Sequence, residues 1–465
     1  MISRVENLLT FDFLPTFLFS LFLAYIFYQL IRPEFFVLEQ YKQWHEIGYY
    51  QNPIDFSAQR QQSHAYELRW QAERLNSFRK SGKCPPVYPN GWYGVMEGSQ
   101  LLPGQCFPVN IVGLNLVVFR EQKGDLAQHP KAHILDSMCP HLGANLAVGG
   151  RVHQDKIECP FHGWQFDGST GNCVKIPYKD QKVSIPSQCH IKSYPSCEVN
   201  GWIHIWFDAE GRPPSWHIPL VPQIQLNYWN IRAKVGHEVL AHIQELPENA
   251  GDLAHLSEVH ETGHTWEASW KPLDPEVERE YEAKQEKLIE NRLGKKALKE
   301  IRQIEGINSV GELGPAPVGQ MCLVHRYKLF GMLVPFSTIK VVARQTGPAL
   351  VHLLYESSLF GQGAFMQYVT PIEPLKQRLV HHTWAQKSIP SFLSHILARG
   401  EAIQVERDIL IWNNKCYVKA PVVVKSPEDA LLLSHRKWYS QFYSENSPTL
   451  ESTRKNPVSP LSTDW

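Results

Sequence analysis

Apolar positions along this chain fall into three textures. From Phe13 to Ile31 they run almost unbroken and carry no charge, until Arg32 and Pro33 end the run. That length approaches the roughly 20 residues needed to span a bilayer. It predicts an N-terminal transmembrane helix, with residues 1–32 as a membrane anchor. A cleaved signal peptide is the rival reading, but no basic start or small-residue cleavage site is evident. Residues 33–91 read as a connector. Within it, Glu67–Arg79 fits a helix with Leu68, Ala72 and Leu75 on one face. Its cations (Arg69, Arg74, Arg79, Lys80 and Lys83) suit either an anionic membrane surface or plain solvent.

The second texture begins at Gly91. Short β-rich runs at Asn110–Phe119, His133–Asp136 and Gly201–Phe207 are punctuated by Gly and Pro, which predicts a small all-β domain over 92–210. A Pro-rich joint (Arg212-Pro213-Pro214, then Pro219 and Pro222) leads into the third texture, a mixed region over 211–443. Strands are expected there at Ser337–Arg344, Ala349–Leu354, Ala364–Val369 and Arg378–Ala385. Lys271–Arg302 is densely charged and helix-prone and reads as a solvent-exposed excursion. Residues 444–465, rich in Ser, Thr and Pro, are expected to be disordered. The fold class is therefore α+β, built from an anchor, an all-β domain and an α+β domain.

Composition narrows the function. The chain has 465 residues, enough for two or three domains. Its 46 basic and 46 acidic side chains balance, which argues against a nucleic-acid partner. The nine cysteines form no regular disulfide framework and suit a reducing compartment.

Two loops carry the most specific chemistry: Cys139-Pro140-His141-Leu142-Gly143 and Cys159-Pro160-Phe161-His162-Gly163-Trp164. A Cys2His2 zinc finger would group its cysteines first and its histidines after. Here each loop holds one of each. That interleaving suits a two-iron cluster, with Cys139 and Cys159 on one iron and His141 and His162 on the other. Apolar residues beside these ligands are expected to keep water away.

A second constellation, Glu248-x3-Asp252-x2-His255-x4-His260, follows Pro247 at the start of a helix. Asp252 and His255 share a face. His255 and His260 would diverge by about 140° on a regular helix, so the helix must end or bend between them if both bind one metal. Two histidines need a carboxylate to complete a facial triad for non-haem Fe(II). Asp408, in the helical stretch Gln404–Trp412, is the candidate and Glu406 the competitor. Asp252 fits better as the acceptor of a histidine N–H. His242 and His264 read as structural or exposed rather than as ligands.

The order of these motifs resembles that of the Rieske non-haem iron oxygenases over about 90–440. The resemblance implies a helix-grip catalytic domain and a mononuclear Fe(II) held by His255, His260 and Asp408. It also implies a ring-like homotrimer in which Asp252 bridges the iron to His162 of a neighbouring subunit. Leu142 after His141, the run 139–150, Asp408 with Ile411-Trp412, Lys415 and Tyr417, and the anchor together resemble the cholesterol 7-desaturases of the Neverland type. That implies a sterol substrate, O2, and desaturation of cholesterol to 7-dehydrocholesterol at an internal membrane. Endoplasmic reticulum is the expected location, with the catalytic part in the cytosol. A steroid hydroxylase or O-demethylase on the same scaffold, or a tethered electron carrier, are the alternatives. A late C-x-x-C, the mark of the chlorophyll-breakdown branch, is absent from the sequence.

Gly361-Gln362-Gly363 lacks the third glycine of a dinucleotide fingerprint. NAD(P)H is therefore expected to act through a separate reductase. An apolar substrate pocket is expected near the iron, with Phe330, Leu333, Phe336, Leu354, Phe360, Phe365, Met366 and Trp384 as candidate liners.

Overall fold

The computed structural model describes residues 19–25, 37–47, 84–122, 130–180, 182–260, 264–304, 313–329, 332–417 and 421–455. Of the expected anchor, residues 19–25 are helical with exposed apolar side chains. The rest of that run and the expected connector helix Glu67–Arg79 lie outside the described residues. Among the described residues, no helix is long and apolar enough to cross a membrane.

The β-rich segment forms three small antiparallel sheets. Leu114–Arg120 pairs with Cys106–Ile111 on one side and with Ala132–Asp136 on the other. The expected strand Asn110–Phe119 is therefore a hairpin. Val112 and Gly113 turn it with φ of 49° and 76°, the two positive angles that match the strand twist. Trp202–Phe207 pairs with Gly91–Glu97 and Ser196–Val199. The third sheet runs from Arg151–His153 to Cys173–Lys175, and one of its turns is the second Cys/His loop.

The second half of the chain is built on a nine-stranded sheet. Its central strands are Ile339–Thr346, Leu350–Ser357, Gly361–Glu373 and Lys376–Gln386, the four expected strands in longer form. Three more, Trp229–Val239, His264–Pro272 and Val318–Leu329, were not legible. Leu38–Lys42, inside the expected connector, adds a parallel edge strand along Ala233–His237.

Both faces of this sheet are covered, and side-chain alternation decides which residue meets which neighbour. On one face Tyr368 stacks on Trp202 at 4.1 Å, Trp202 Nε1 donates to His382 Nδ1, and Thr370 Oγ1 donates to the Gly94 carbonyl. The β-rich domain thus shares a core with the sheet. The other face receives the long helix Ser391–Asn414, which buries Leu397, Val405, Ile409 and Trp412.

Two expectations are corrected. The charged stretch is a pair of helices, Pro275–Leu293 and Lys295–Ile304, broken at Gly294 with φ 87°. It is not simply solvated: Ile289 and Leu298 enter the core, and Glu278 pairs with Arg344, the two side chains 1% and 7% exposed. Replacing Glu278 by alanine removes that buried guanidinium's anionic partner, leaving it Gln320 Oε1 and the Tyr281 ring, and is expected to cost about 3 kcal/mol. A lower thermal midpoint, with faster hydrogen exchange across 275–293, would register it; an unchanged midpoint would mean that the pair is dispensable. The tail is corrected as well. Residues 444–450 strap the entry of the β-rich domain, where Val87 N–H donates to the Pro448 carbonyl and Asn90 Nδ2 to Ser444 Oγ. Ordering follows from those hydrogen bonds, which composition does not reveal. Residues 456–465 lie outside the described residues.

Candidate active site

Each Cys/His loop closes on the same backbone hydrogen bond. Gly143 N–H donates to the Cys139 carbonyl at 2.9 Å, and Gly163 N–H to the Cys159 carbonyl at 3.1 Å. Both glycines sit at φ 72°, a left-handed turn that side chains disfavour. Two matching turns thus bring the four side chains together. Cys139 and Cys159 are buried and unpaired. The His141 and His162 rings lie 4.6 Å apart at 71°. Both Nδ1 atoms are buried without a hydrogen-bond partner among the described residues. Burial pushes the Cys139 thiol up to about 12, opposed by a backbone hydrogen bond and reinforced by the neighbouring Cys159. Two crowded thiols and two orphaned imidazole nitrogens form the donor set that a [2Fe-2S] cluster requires.

The surroundings of the loops only partly match the expected apolar jacket. Trp164 stacks on His141 at 4.6 Å and 11°, and donates to Tyr178 Oη. Leu146 and Phe166 are buried, but Leu142 and Phe161 at the loop tips are exposed. The histidine side of the site therefore lies near solvent.

The second site forms where the sheet meets the long helix. A short helix, Ala254–Val259, carries His255 and ends at its cap His260, with φ −111° and ψ 13°. The expected break thus falls between the two histidines. Their rings lie 5.2 Å apart. One donor atom each from His255, His260 and Asp408 fall within 4.8 Å of one another, and His260 Nε2 lies 3.3 Å from Asp408 Oδ1. His255 Nδ1–H donates to the main-chain carbonyl of Asp252. That bond leaves Nε2 as the metal-facing nitrogen. The donor set of two imidazoles and one carboxylate fits a facial-triad iron.

The competing residues have other partners. Glu406 takes Lys42 Nζ at 2.7 Å and His237 Nε2 at 3.4 Å. Glu248 is clamped by Arg436, whose Nε and Nη2 reach its two oxygens at 2.9 and 2.7 Å. His242 is buried against the Pro85 and Pro86 carbonyls, and burial lowers it to about 4. The sequence expectation that the Asp252 carboxylate accepts a histidine N–H is corrected for His255, whose N–H goes to the residue's main-chain carbonyl instead. Asp252 is half-buried and lines a pocket of about 170 Å³ with His255, Asp408 and Lys415.

Beside the triad lies a cavity of about 150 Å³. Its apolar wall includes Leu256, Met321, Leu323, Val351, Leu353 and Leu379. None of the candidate liners is among them. Leu354, Met366 and Trp384 point to the opposite face, into the core shared with the β-rich domain. Phe360 and Phe365 pack in a neighbouring cluster with Leu353 at its edge. Leu333 and Phe336 are exposed, and Phe330 lies outside the described residues. Glu401, Gln404, Gln367 and His381 share the cavity and were missed. Helical spacing could have found the first two, since 401, 404 and 408 recur on one face.

Residues 91–195 match the Rieske [2Fe-2S] domain family, and residues 205–443 match the 3-ketosteroid 9alpha-hydroxylase C-terminal domain family. The chain is 38% identical to the cholesterol 7-desaturase of Xenopus laevis over 80% of its own length and 75% of that relative. It is 37% identical to the cholesterol 7-desaturase of Caenorhabditis elegans, over 82% of each. The chain belongs to the cholesterol 7-desaturase family. The fold is that of a wider class: dicamba monooxygenase bound to dicamba superimposes with a TM-score of 0.52 at 15% identity, covering 77% of this chain and 98% of that one. The Rieske match spans the two Cys/His loops, and the match over 205–443 spans the His255–His260–Asp408 cluster.

Proposed function

We propose that this chain converts cholesterol to 7-dehydrocholesterol. The observation that carries the reading is the apolar cavity placed directly against His255, His260 and Asp408, in a chain of this family. Removing two hydrogens across C7–C8 while O2 becomes two waters consumes two further electrons and two protons. The iron centres supply the redox chemistry when bound: a [2Fe-2S] cluster on Cys139, His141, Cys159 and His162, and a mononuclear Fe(II) on His255, His260 and Asp408.

The protein's own residues do the rest. His255 is oriented by the Asp252 carbonyl, and the apolar wall holds the sterol and excludes water from the site. The free volume is below the roughly 300–1,000 Å³ of typical small-molecule sites, so a rigid sterol must displace lining side chains as it enters. Unbranched Met321 and Gln404 are the adaptable ones.

The reading extends to the assembly. Asp252 connects this site to the partner subunit's His162 in a homotrimer, and electrons arrive from a separate NAD(P)H-dependent reductase. The half-buried Asp252 and the exposed Leu142 and Phe161 at the cluster support such contacts. An N-terminal single-pass anchor holds the chain in the endoplasmic reticulum membrane with the catalytic part in the cytosol, which suits an apolar substrate and nine unpaired cysteines.

The test is expression in cells with endogenous reductases, supply of cholesterol, and sterol analysis by mass spectrometry and diene absorbance. Appearance of 7-dehydrocholesterol is expected. A hydroxylated sterol instead would favour the second reading, a steroid hydroxylase, to which the match over 205–443 points.

A further inference from the structure

On the sheet the cavity wall is apolar except at Gln367 and His381. On its cavity face Val351, Gln367 and His381 stand side by side on adjacent strands. His381 is 2% exposed, and neither ring nitrogen has a hydrogen-bond partner among the described residues. From the opposite wall, the long helix presents Gln404, whose Oε1 is likewise buried without a partner. A leucine at either position would fill the space without leaving a polar atom desolvated and unpaired. Buried polar groups in native proteins find partners, and a ligand in this cavity would supply them to His381 and Gln404.

We propose that His381 and Gln404 form a hydroxyl-recognition pair for the substrate: the His381 ring N–H donates to a hydroxyl oxygen, and Gln404 Oε1 accepts that hydroxyl's hydrogen. This rests on the sterol reading and deepens it, because cholesterol carries a single hydroxyl on an otherwise apolar frame. Burial lowers His381 to about 3, with the His237 and His382 rings adding to the effect, so the ring is neutral and offers one donor. Gln404 lies one helical turn before Asp408, about 6 Å along the axis. In cholesterol the hydroxyl sits on the first ring and C7 on the adjacent second ring. A clamp one turn from the iron ligand therefore suits a molecule held by its hydroxyl while its neighbouring ring meets the metal. The pair are positioning residues and take no part in the redox step.

The experiment uses the full-length holoenzyme with cholesterol and 5-cholestene, which lacks the hydroxyl. It reads two ratios: equilibrium binding of the radiolabelled sterols, and kcat/KM. Wild type is expected to favour cholesterol by about tenfold or more. His381→Leu and Gln404→Leu should each drive both ratios toward one, with the cluster spectrum retained. His381→Asn should restore part of the preference. Cholest-4-en-3-one, which accepts but cannot donate, should remain sensitive to His381→Leu and become insensitive to Gln404→Leu.

A wild-type ratio near one, or a preference that survives both leucine variants, overturns the proposal. If His381→Leu fails to fold, Gln404→Leu and His381→Asn carry the same decision. The binding ratio also separates this proposal from the desaturase reading. A hydroxyl preference that depends on His381, without any diene product, sinks the reaction assignment alone. Diene formation with no hydroxyl preference sinks the clamp alone.

Discussion

Replacing His255 by alanine abolishes diene formation and leaves the [2Fe-2S] absorbance and paramagnetic signals intact. The three donor atoms within 4.8 Å come from a short helix, its cap and the long helix, so deleting one imidazole leaves only His260 and Asp408. Residues that merely support a metal ligand typically cost 10–100-fold in activity, and a direct ligand should exceed that upper end of about 100-fold. The cluster loops sit in a different domain with their own core, which is why their signals should survive. Metal analysis should show the mononuclear iron lost and the two cluster irons kept. Turnover that persists in this variant would remove His255 from the ligand set. An electron carrier that uses the cluster alone would also be indifferent to the change.

The second large effect concerns Asp252→Ala. Because His255 is held by the main-chain carbonyl of residue 252, alanine removes the carboxylate without releasing the histidine. Both metal centres should therefore remain. What should change is substrate-triggered reoxidation of a chemically reduced cluster, slowed by about 10–100-fold. Rapid-mixing spectrophotometry in a single turnover measures it directly. A normal rate would refute the bridging role, while loss of the mononuclear iron would recast the carboxylate as support for the metal site.

Both sites were legible because their information is local. A cysteine and a histidine two or three residues apart, followed by glycine, specify a tight turn whose geometry varies little with context. The break between His255 and His260 likewise followed from helix periodicity once both were taken to bind one metal. Asp408 could not be separated from Glu406 in this way. Residues two apart on a helix point about 200° apart, and which direction faces the histidines is decided by Lys42 and His237, far away in sequence.

The pocket was illegible for a related reason. A strand buried on both faces alternates between two apolar environments, so its hydrophobic pattern does not tell the cavity from the domain junction. Leu353 and Leu354 look equivalent in the sequence, yet one borders the cavity beside His255, His260 and Asp408 and the other the core shared with the β-rich domain. The same ambiguity hid His381 beside His382, of which only the second is tied to Trp202 and Glu97.

That junction constrains how such enzymes can be recombined. Thr370 Oγ1 and Arg378 Nη2 donate to the Gly94 and Val95 carbonyls across it, and Tyr368 stacks on Trp202. The seam crosses the middle of the catalytic sheet rather than a flexible linker. A chimera that grafts the β-rich half of a distant relative onto this nine-stranded sheet would inherit mismatched partners along the whole seam. Exchange between lineages should succeed only when these six positions travel together, as a cassette that ignores the conventional domain boundary.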